Sequence, residues 1–554
     1  MPGPGAGSMA EGRVLEADRQ ARVVAGSSWW VPLCLLGLAA CGGGVGGDAT
    51  AAPSARVSGA VDSSLIDRHR ERANAVHAFA GFDTTSGHAV ATAPVQQDNG
   101  ACTFRYALAG LPDGPYTVAL TSDGGATFRR RANVTVGGAA VAQHFTPARV
   151  VRVGPGREFT HPDQVTGRVR SGDVIEIDAG VYRGPASTWS TDHLTLRGVG
   201  GRAHLVAPAT ISNRKAIWVT AGQNIAVENV EFSGAAVPNL NGSGIRAEGR
   251  DLTICGSYFH DNQEGILGGG GNVLIEFSEF ARNGNCDDPE GCAHNIYIDH
   301  TERFTLRHSY SHHARIGHTV KSRARENYIL YNRIMDETDG TSSYGIDLPD
   351  GGLSYVIGNL LQQGPRTDNP VILAYGAETL DNPSRHLYVV NNTFVNDLGS
   401  GTFVSIARGS TATVQNNLFV GRGTAVAGPA SQVSNLVTNA PNFVNIGAFD
   451  YRPTAATPGI DRGTAPGRGG AFDLTPIYQY VHPLSRQVRP RHNAIDIGAY
   501  EYDPTARARA AVLGEPPWPP WLPAGLRGAA PTGAGRGGVA LYAPAGPPPS
   551  SRAR

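Results

Sequence analysis

Between His294 and Asp350 the chain gathers side chains that move protons or hold anions. They are His294, Tyr297, Asp299, His300, His312, His313, His318, Lys321, Arg323, Tyr344 and Asp347. Removing a proton α to a uronic carboxylate needs three functions: a cation or amide to neutralise the carboxylate, a base at the carbon and an acid for the leaving oxygen. Lys321, Tyr344, Tyr297 or a histidine such as His318 supplies base or acid. Arg323, Arg246 or a bound Ca²⁺ neutralises the carboxylate, and Arg246, His294, His300 and Asp347 are expected to bind substrate. Asp299 and Asp347 either hold that Ca²⁺ or orient a histidine. The bland alternative is a solvated face of salt-bridged rungs.

These residues are far apart in sequence and need strands to bring them together. Short segments recur: Gly244-Ile-Arg-Ala, Gly265-Ile-Leu-Gly, Asn295-Ile-Tyr-Ile, Thr319-Val-Lys-Ser, Gly345-Ile-Asp-Leu, Val371-Ile-Leu-Ala and Thr402-Phe-Val-Ser. Strand side chains alternate faces, so Ile245, Ile266, Ile296, Val320, Ile346, Ile372 and Phe403 are expected inside. Arg246, Leu267, Tyr297, Lys321, Asp347, Leu373 and Val404 then form an outward column, with neighbouring rungs about 4.8 Å apart. Leu or Val on the flanking rungs sets off the three middle coils.

A second repeat is stronger. Segments starting at Ala226, Thr253, Leu274, Phe304, Tyr328, Tyr355, Tyr388 and Thr413 align, with spacings from 21 residues (Thr253 to Leu274) to 33 (Tyr355 to Tyr388). Their fifth positions are Ser257, Ser278, His308, Asn332, Asn359, Asn392 and Asn417, a polar ladder in which His308 is a member. Their seventh positions, Phe232, Phe259, Phe280, Tyr310, Ile334, Leu361, Phe394 and Phe419, form an apolar stack. A coil that buries its apolar face only on its neighbours is a solenoid rung. The expected fold is all-β, a right-handed parallel β-helix over 150–502 preceded by a small β-sandwich over 57–147. Trp189 and Trp218, in an early coil, are expected to pack rather than stack on sugars. Gly268–Gly271 reads as a tight corner.

Composition agrees. The chain has 554 residues, 72 of them Gly, only 3 Met, 17% charged residues and a net charge of zero. That favours a turn-rich β fold and gives no basic footprint for nucleic acid. The apolar stretch Trp29–Ala40, preceded by Arg13, Arg19 and Arg22, reads as a secretory signal within 1–40. A Gly/Ala/Ser linker follows over 41–56, and 503–554 reads as a disordered tail. Cys286 and Cys292 bracket a short loop and are expected to form a disulfide; Cys102 and Cys255, in different expected domains, read as buried thiols.

Several phrases resemble known families. Leu38-Ala39-Ala40-Cys41 resembles the bacterial lipobox, which implies lipidation at Cys41 and an exported, membrane-anchored lipoprotein at the periplasmic or outer face. Leu108-Ala-Gly-Leu-Pro-Asp-Gly-Pro-Tyr-Thr-Val resembles carboxypeptidase-regulatory-like domains. Gly172-Asp-Val-Ile-Glu-Ile-Asp-Ala-Gly-Val-Tyr and the closing Asp496-Ile-Gly-Ala-Tyr-Glu-Tyr resemble pectate-lyase-like β-helices. Lys321-Ser322 with Asn327 and Asn332 looks like the phrase of the alginate-lyase and chondroitinase-B family, which implies Lys321 as base; Ser343-Tyr344-Gly345 stands where that family has Arg-His-Gly. Tyr344-Gly-Ile-Asp347-Leu-Pro-Asp350 resembles the mannuronan C5-epimerase phrase, with Pro349 in place of its His and His318 as a substitute from the previous coil. The clustered Asp phrases of polygalacturonases are missing; Asp287-Asp288 lies inside the Cys loop. Together these imply a monomeric lyase or epimerase of an acidic polysaccharide, against a non-catalytic carbohydrate-binding or envelope-structural β-helix.

Overall fold

The computed structural model describes residues 57–504, apart from 67, 70–77, 85–88, 122–127 and 288–290. The expected signal segment, the expected lipidation at Cys41, the expected linker and nearly all of the expected tail lie outside the described residues. No helix among the described residues is long and apolar enough to cross a membrane.

Residues 57–142 form two four-stranded sheets, 96–97/104–108/57–61/141–142 and 89–94/78–83/114–121/128–136. Alternation in Phe104–Leu108 puts Phe104, Tyr106 and Leu108 in a shared core with Val57, Val118 and Val136.

From Val150 the chain winds into a right-handed parallel β-helix. Each coil adds one strand to a ten-stranded parallel sheet, running from Ser187–Trp189 to Thr424–Ala427, and two strands to a second parallel sheet. Paired strands such as Leu252–Cys255 and Tyr258–His260 meet at a corner that holds the polar ladder. There the backbone N–H of Asn332 donates to Asn359 Oδ1 at 2.9 Å, Asn359 to Asn392 at 2.9 Å and Asn392 to Asn417 at 3.0 Å. Each buried amide thus satisfies the turn of the coil before it. Inside, Phe232, Phe259 and Phe280 stack with centroids 4.9 and 4.7 Å apart. Trp189 and Trp218 meet edge-on at 5.3 Å in the same core and are buried.

Three readings need correction. Phe304 pairs with Val273 and Thr305 with Leu274, so that coil is shifted by one residue. Ser309, not His308, is the ladder member: Ser278 N–H donates to Ser309 Oγ, and Ser309 N–H to Asn332 Oδ1. His308 stacks outside between Phe277 and Tyr331, and Ser311 replaces Tyr310 in the internal stack. A similar slip affects the ten-stranded sheet, where Ile346 pairs with Leu373 and Leu373 with Val404. Leu373 and Val404 therefore face inward, and Ala374 and Ser405 continue the outward column. Finally, Cys102 and Cys255 form a disulfide rather than two thiols, because the first domain packs on the two-strand sheet and brings its 98–103 turn to Cys255. Cys286 and Cys292 are also joined.

Past residue 440, short hairpins fold back over the two-strand sheet, where Tyr451, Tyr480 and Ile497 cover Met335, Leu360 and Leu418. Both additions lie on that sheet; Tyr297, Lys321 and Asp347 lie on the ten-stranded one. Gly268, at φ 106°, turns the corner between them, and a Cβ there would stand 2.3 Å from the Ala247 carbonyl oxygen.

Candidate functional site

Three three-residue strands, Ile296–Ile298, Val320–Ser322 and Ile346–Leu348, build the centre of the site. Their first residues enter the core, so register alone sets Tyr297 beside Lys321 and Lys321 beside Asp347. An asparagine stack helps fix the entry to this sheet. Asn262 N–H donates to Asn283 Oδ1 and Asn283 N–H to Asn295 Oδ1, which anchors the residue that follows His294.

Lys321 Nζ lies 5.2 Å from the centre of the Tyr297 ring and donates to Glu378 Oε1 at 3.1 Å. Arg323, two residues on, donates from Nε to Tyr297 Oη at 3.0 Å, from Nη1 to Asp350 Oδ1 and from Nη2 to Glu378 Oε2. One carboxylate thus bridges two cations. Burial raises the affinity of Glu378 for a proton, but the Arg323 bonds and the Lys321 charge more than offset this and hold it below the usual carboxylate range. Arg323 is raised: its burial works against the charge, and the bonds to Glu378, Tyr297 and Asp350 outweigh it.

Asp347 is the counterpart. It is 2% exposed and its Oδ1 has no hydrogen-bond partner among the described residues. Burial pushes its carboxyl up to about 7, with Lys321 pulling the other way. Its Oδ2 lies 3.4 Å from His318 Nε2. His318 Nδ1 accepts from the Tyr344 backbone N–H at 3.3 Å, and His294 Nδ1 from the His318 backbone N–H at 2.8 Å. These bonds place the ring proton of each neutral imidazole on Nε2, which in His318 is the nitrogen nearest Asp347. Burial first and Lys321 second push His318 down to about 3 and hold it neutral. The His294 and His318 rings stack at 4.6 Å, and Tyr344 lies 4.9 Å from His318. Behind them Glu264 is buried, with burial raising its carboxyl well above the usual range.

The structure brings together Tyr297, Lys321, Arg323, His294, His318, Tyr344 and Asp347. His300 sits at the rim, with Nδ1 2.8 Å from Asp299 and Nε2 3.3 Å from Asp350. Arg246 is one rung beyond Leu267 and donates to Asn241. His312 and His313 belong to the other sheet, where they meet Glu279 and Asp339. Asp299 and Asp347 do not assemble as a calcium cage, which takes six to eight oxygens. Asp299 is bonded to an exposed His300, and Asp347 lies beside an ammonium group with a carboxyl titrating near neutrality. Sequence reasoning missed Glu378 and the part played by Asp350. The signal for Glu378 was the 33-residue spacing from Tyr355 to Tyr388, which demands an inserted loop; its turn is tied down by Glu378 and Thr379 N–H bonds to Pro349 O.

A family described as right handed beta helix region matches residues 180–361, a span that includes all of these strands. Among solved structures, the chain is similar to pectate lyase Pel9A at 16% identity, covering 65% of this chain and 97% of that one, with a TM-score of 0.43. It is also similar to an alginate lyase from Paenibacillus sp. at 12% identity, covering 52% and 99%, with a TM-score of 0.31. A family 28 exopolygalacturonase from Yersinia enterocolitica gives 10% identity, 69% and 96% coverage, and a TM-score of 0.30. No curated protein matches the sequence.

Proposed function

We propose that this β-helix is an exported enzyme that abstracts the proton α to the carboxylate of a uronate-containing polysaccharide and completes a β-elimination. The observation that supports this reading is the Glu378 carboxylate held between Lys321 and Arg323, in the position we propose for a substrate carboxylate. A uronate displacing Glu378 gains the same two cations, which stabilise charge that builds up as the α carbon loses its proton. In this reading Lys321 is a clamp rather than the base. The base is Asp347: burial pushes its carboxyl up to about 7, one of its oxygens is unengaged among the described residues, and the other stands 3.4 Å from His318 Nε2. Tyr297 accepts from Arg323, which leaves its own O–H to protonate the glycosidic oxygen as the C–O bond breaks. Two disulfides suit an oxidising compartment and support export, with the lipid at Cys41 as tether.

A second reading, C5-epimerisation, is favoured by His318 lying between Asp347 and Tyr344, which offers a route for returning a proton from another direction. Incubation with alginate, pectate and glycosaminoglycans, with and without Ca²⁺, separates the two. Elimination raises the ultraviolet absorbance of an unsaturated uronate and is lost in Asp347→Asn. Altered anomeric proton resonances at constant absorbance mean epimerisation. Saturable binding that Lys321→Ala abolishes, with no turnover of any polymer, would leave a carbohydrate-binding β-helix and end the catalytic reading.

A further inference from the structure

A second cluster lies on the other sheet, away from the residues described above. His204, Glu231 and His260 come from three successive strands, Thr195–Val206, Val230–Ser233 and Tyr258–His260, with His204 paired to Glu231 and Ser233 paired to His260. His204 Nδ1 is 3.4 Å and His260 Nε2 is 3.1 Å from the same oxygen, Glu231 Oε1, and the three atoms lie within 4.8 Å of one another. All three residues are partly buried. Two ligands held about 2.0–2.1 Å from a tetrahedral ion stand about 3.4 Å apart, so this spacing is already close to that of a coordination shell.

The outer ring nitrogens point the same way. His260 Nδ1 is 2.8 Å from Asp261 Oδ2, and His204 Nε2 is 2.7 Å from Ser233 Oγ. A carboxylate or hydroxyl on the distal nitrogen fixes ring and tautomer and aims the other lone pair at a metal. With its proton directed to Asp261, His260 turns a lone pair toward Glu231, and two acceptors 3.1 Å apart call for a cation between them. The cation is either a metal or a second proton. The Arg202 guanidinium, 5.3 Å from the neighbouring Tyr258 ring, adds positive charge nearby that an ion bound by direct coordination must overcome.

We propose that His204, Glu231 and His260 bind a divalent transition ion of the zinc type, with the fourth position open to water. Two imidazoles and one carboxylate oxygen suit zinc, whereas calcium calls for an all-oxygen shell. The site stands apart from Lys321 and Asp347 and does not depend on their proposed chemistry.

The test uses the chain produced without a polyhistidine tag, stripped with EDTA and titrated with Zn²⁺ against a chromophoric chelator. One equivalent should bind, and Co²⁺ in its place should give the visible bands of a four-coordinate ion. His204→Gln or His260→Gln should abolish that equivalent. Asp261→Asn keeps every ligand and so tests the site even if a ligand variant misfolds; it should weaken binding about 10–100-fold. Failure to bind Zn²⁺, or an unchanged equivalent in the folded His204→Gln/His260→Gln variant, would overturn the proposal in favour of a proton shared by His260 and Glu231.

Discussion

Two columns of outward-facing residues run along this β-helix, and both bury charge. In one, Arg197, Glu228, Cys255, Glu276 and Arg307 occupy successive rungs beneath the first domain. In the other, Tyr297, Lys321 and Asp347 do so on the ten-stranded sheet. In the first column the charges are matched. Glu276 is fully buried and accepts from Arg307, Arg68 and Gln97; Glu228 accepts from Arg68 and Ser63; Cys255 is bonded to Cys102. Burial raises the Glu276 carboxyl, but Arg307 and Arg68 overcome it, and it stays below the usual range. Asp347 is equally hidden, has an unpartnered oxygen and titrates near 7. Full compensation makes a charge structural, whereas incomplete compensation keeps it available to a substrate.

The largest effect expected from breaking this contrast is kinetic. Asp347→Asn and Lys321→Ala should each lower turnover of a uronate polymer about 10²–10⁴-fold while leaving the circular dichroism spectrum intact. Glu276→Gln should do the reverse, keeping turnover in whatever protein folds and costing about 3–5 kcal/mol by removing the buried charge that Arg307 faces and that shares Arg68 with Glu228. Equal activity losses from the two columns would erase the distinction.

Stability against pH sharpens it next. Folding lifts the Asp347 carboxyl from an ordinary 3.8 to about 7, so the folded state holds that proton more tightly. The resulting stabilisation is full below about pH 4 and lost as pH rises through 7, a swing of at most about 4 kcal/mol. His318, depressed to about 3, works oppositely between pH 6.5 and 3, so the clean measurement is a difference. Asp347→Asn should stabilise the protein more at pH 8 than at pH 4 in denaturant titrations, and a pH-independent difference would remove Asp347 from the role given to it.

How much of this was legible in the sequence follows from which periodicities the chain obeys. Seven of the eight ladder segments align as the alternation of Phe, Asn and β-branched residues says, because each coil must match its neighbours. The errors at Phe304 and Val371 are single-residue slips after the 299–302 and 364–370 turns, where period two cannot tell which residue re-enters the sheet. For Glu378 the 33-residue spacing announces only an inserted loop, with no rung to align its residues, and the Cys102–Cys255 bond was hidden because nothing local announces which face a separate domain covers. The ladder itself is a further measurable: Asn359→Ala removes donors to Ile329 O and Asn392 and strands the Asn332 amide. The expected cost is about 2–3 kcal/mol by thermal or denaturant melting, and an unperturbed midpoint would show that the stack is ornamental.

The smallest expected effect bears most closely on the contrast. Glu378 neutralises Lys321 and Arg323 as Glu228 and Glu276 neutralise Arg68, yet it is 48% exposed on a loop while they are buried. An exposed carboxylate held by two cations is easily exchanged for another. If it stands in for substrate, Glu378→Gln should remove a competitor and lower KM several-fold, about 1 kcal/mol, with kcat little changed and the gain fading as salt screens the cations. If Glu378 instead serves to position Arg323 against Tyr297, the same substitution should reduce kcat and leave KM alone. A KM-against-kcat comparison at two ionic strengths therefore decides whether this third carboxylate belongs with the structural column or with the site.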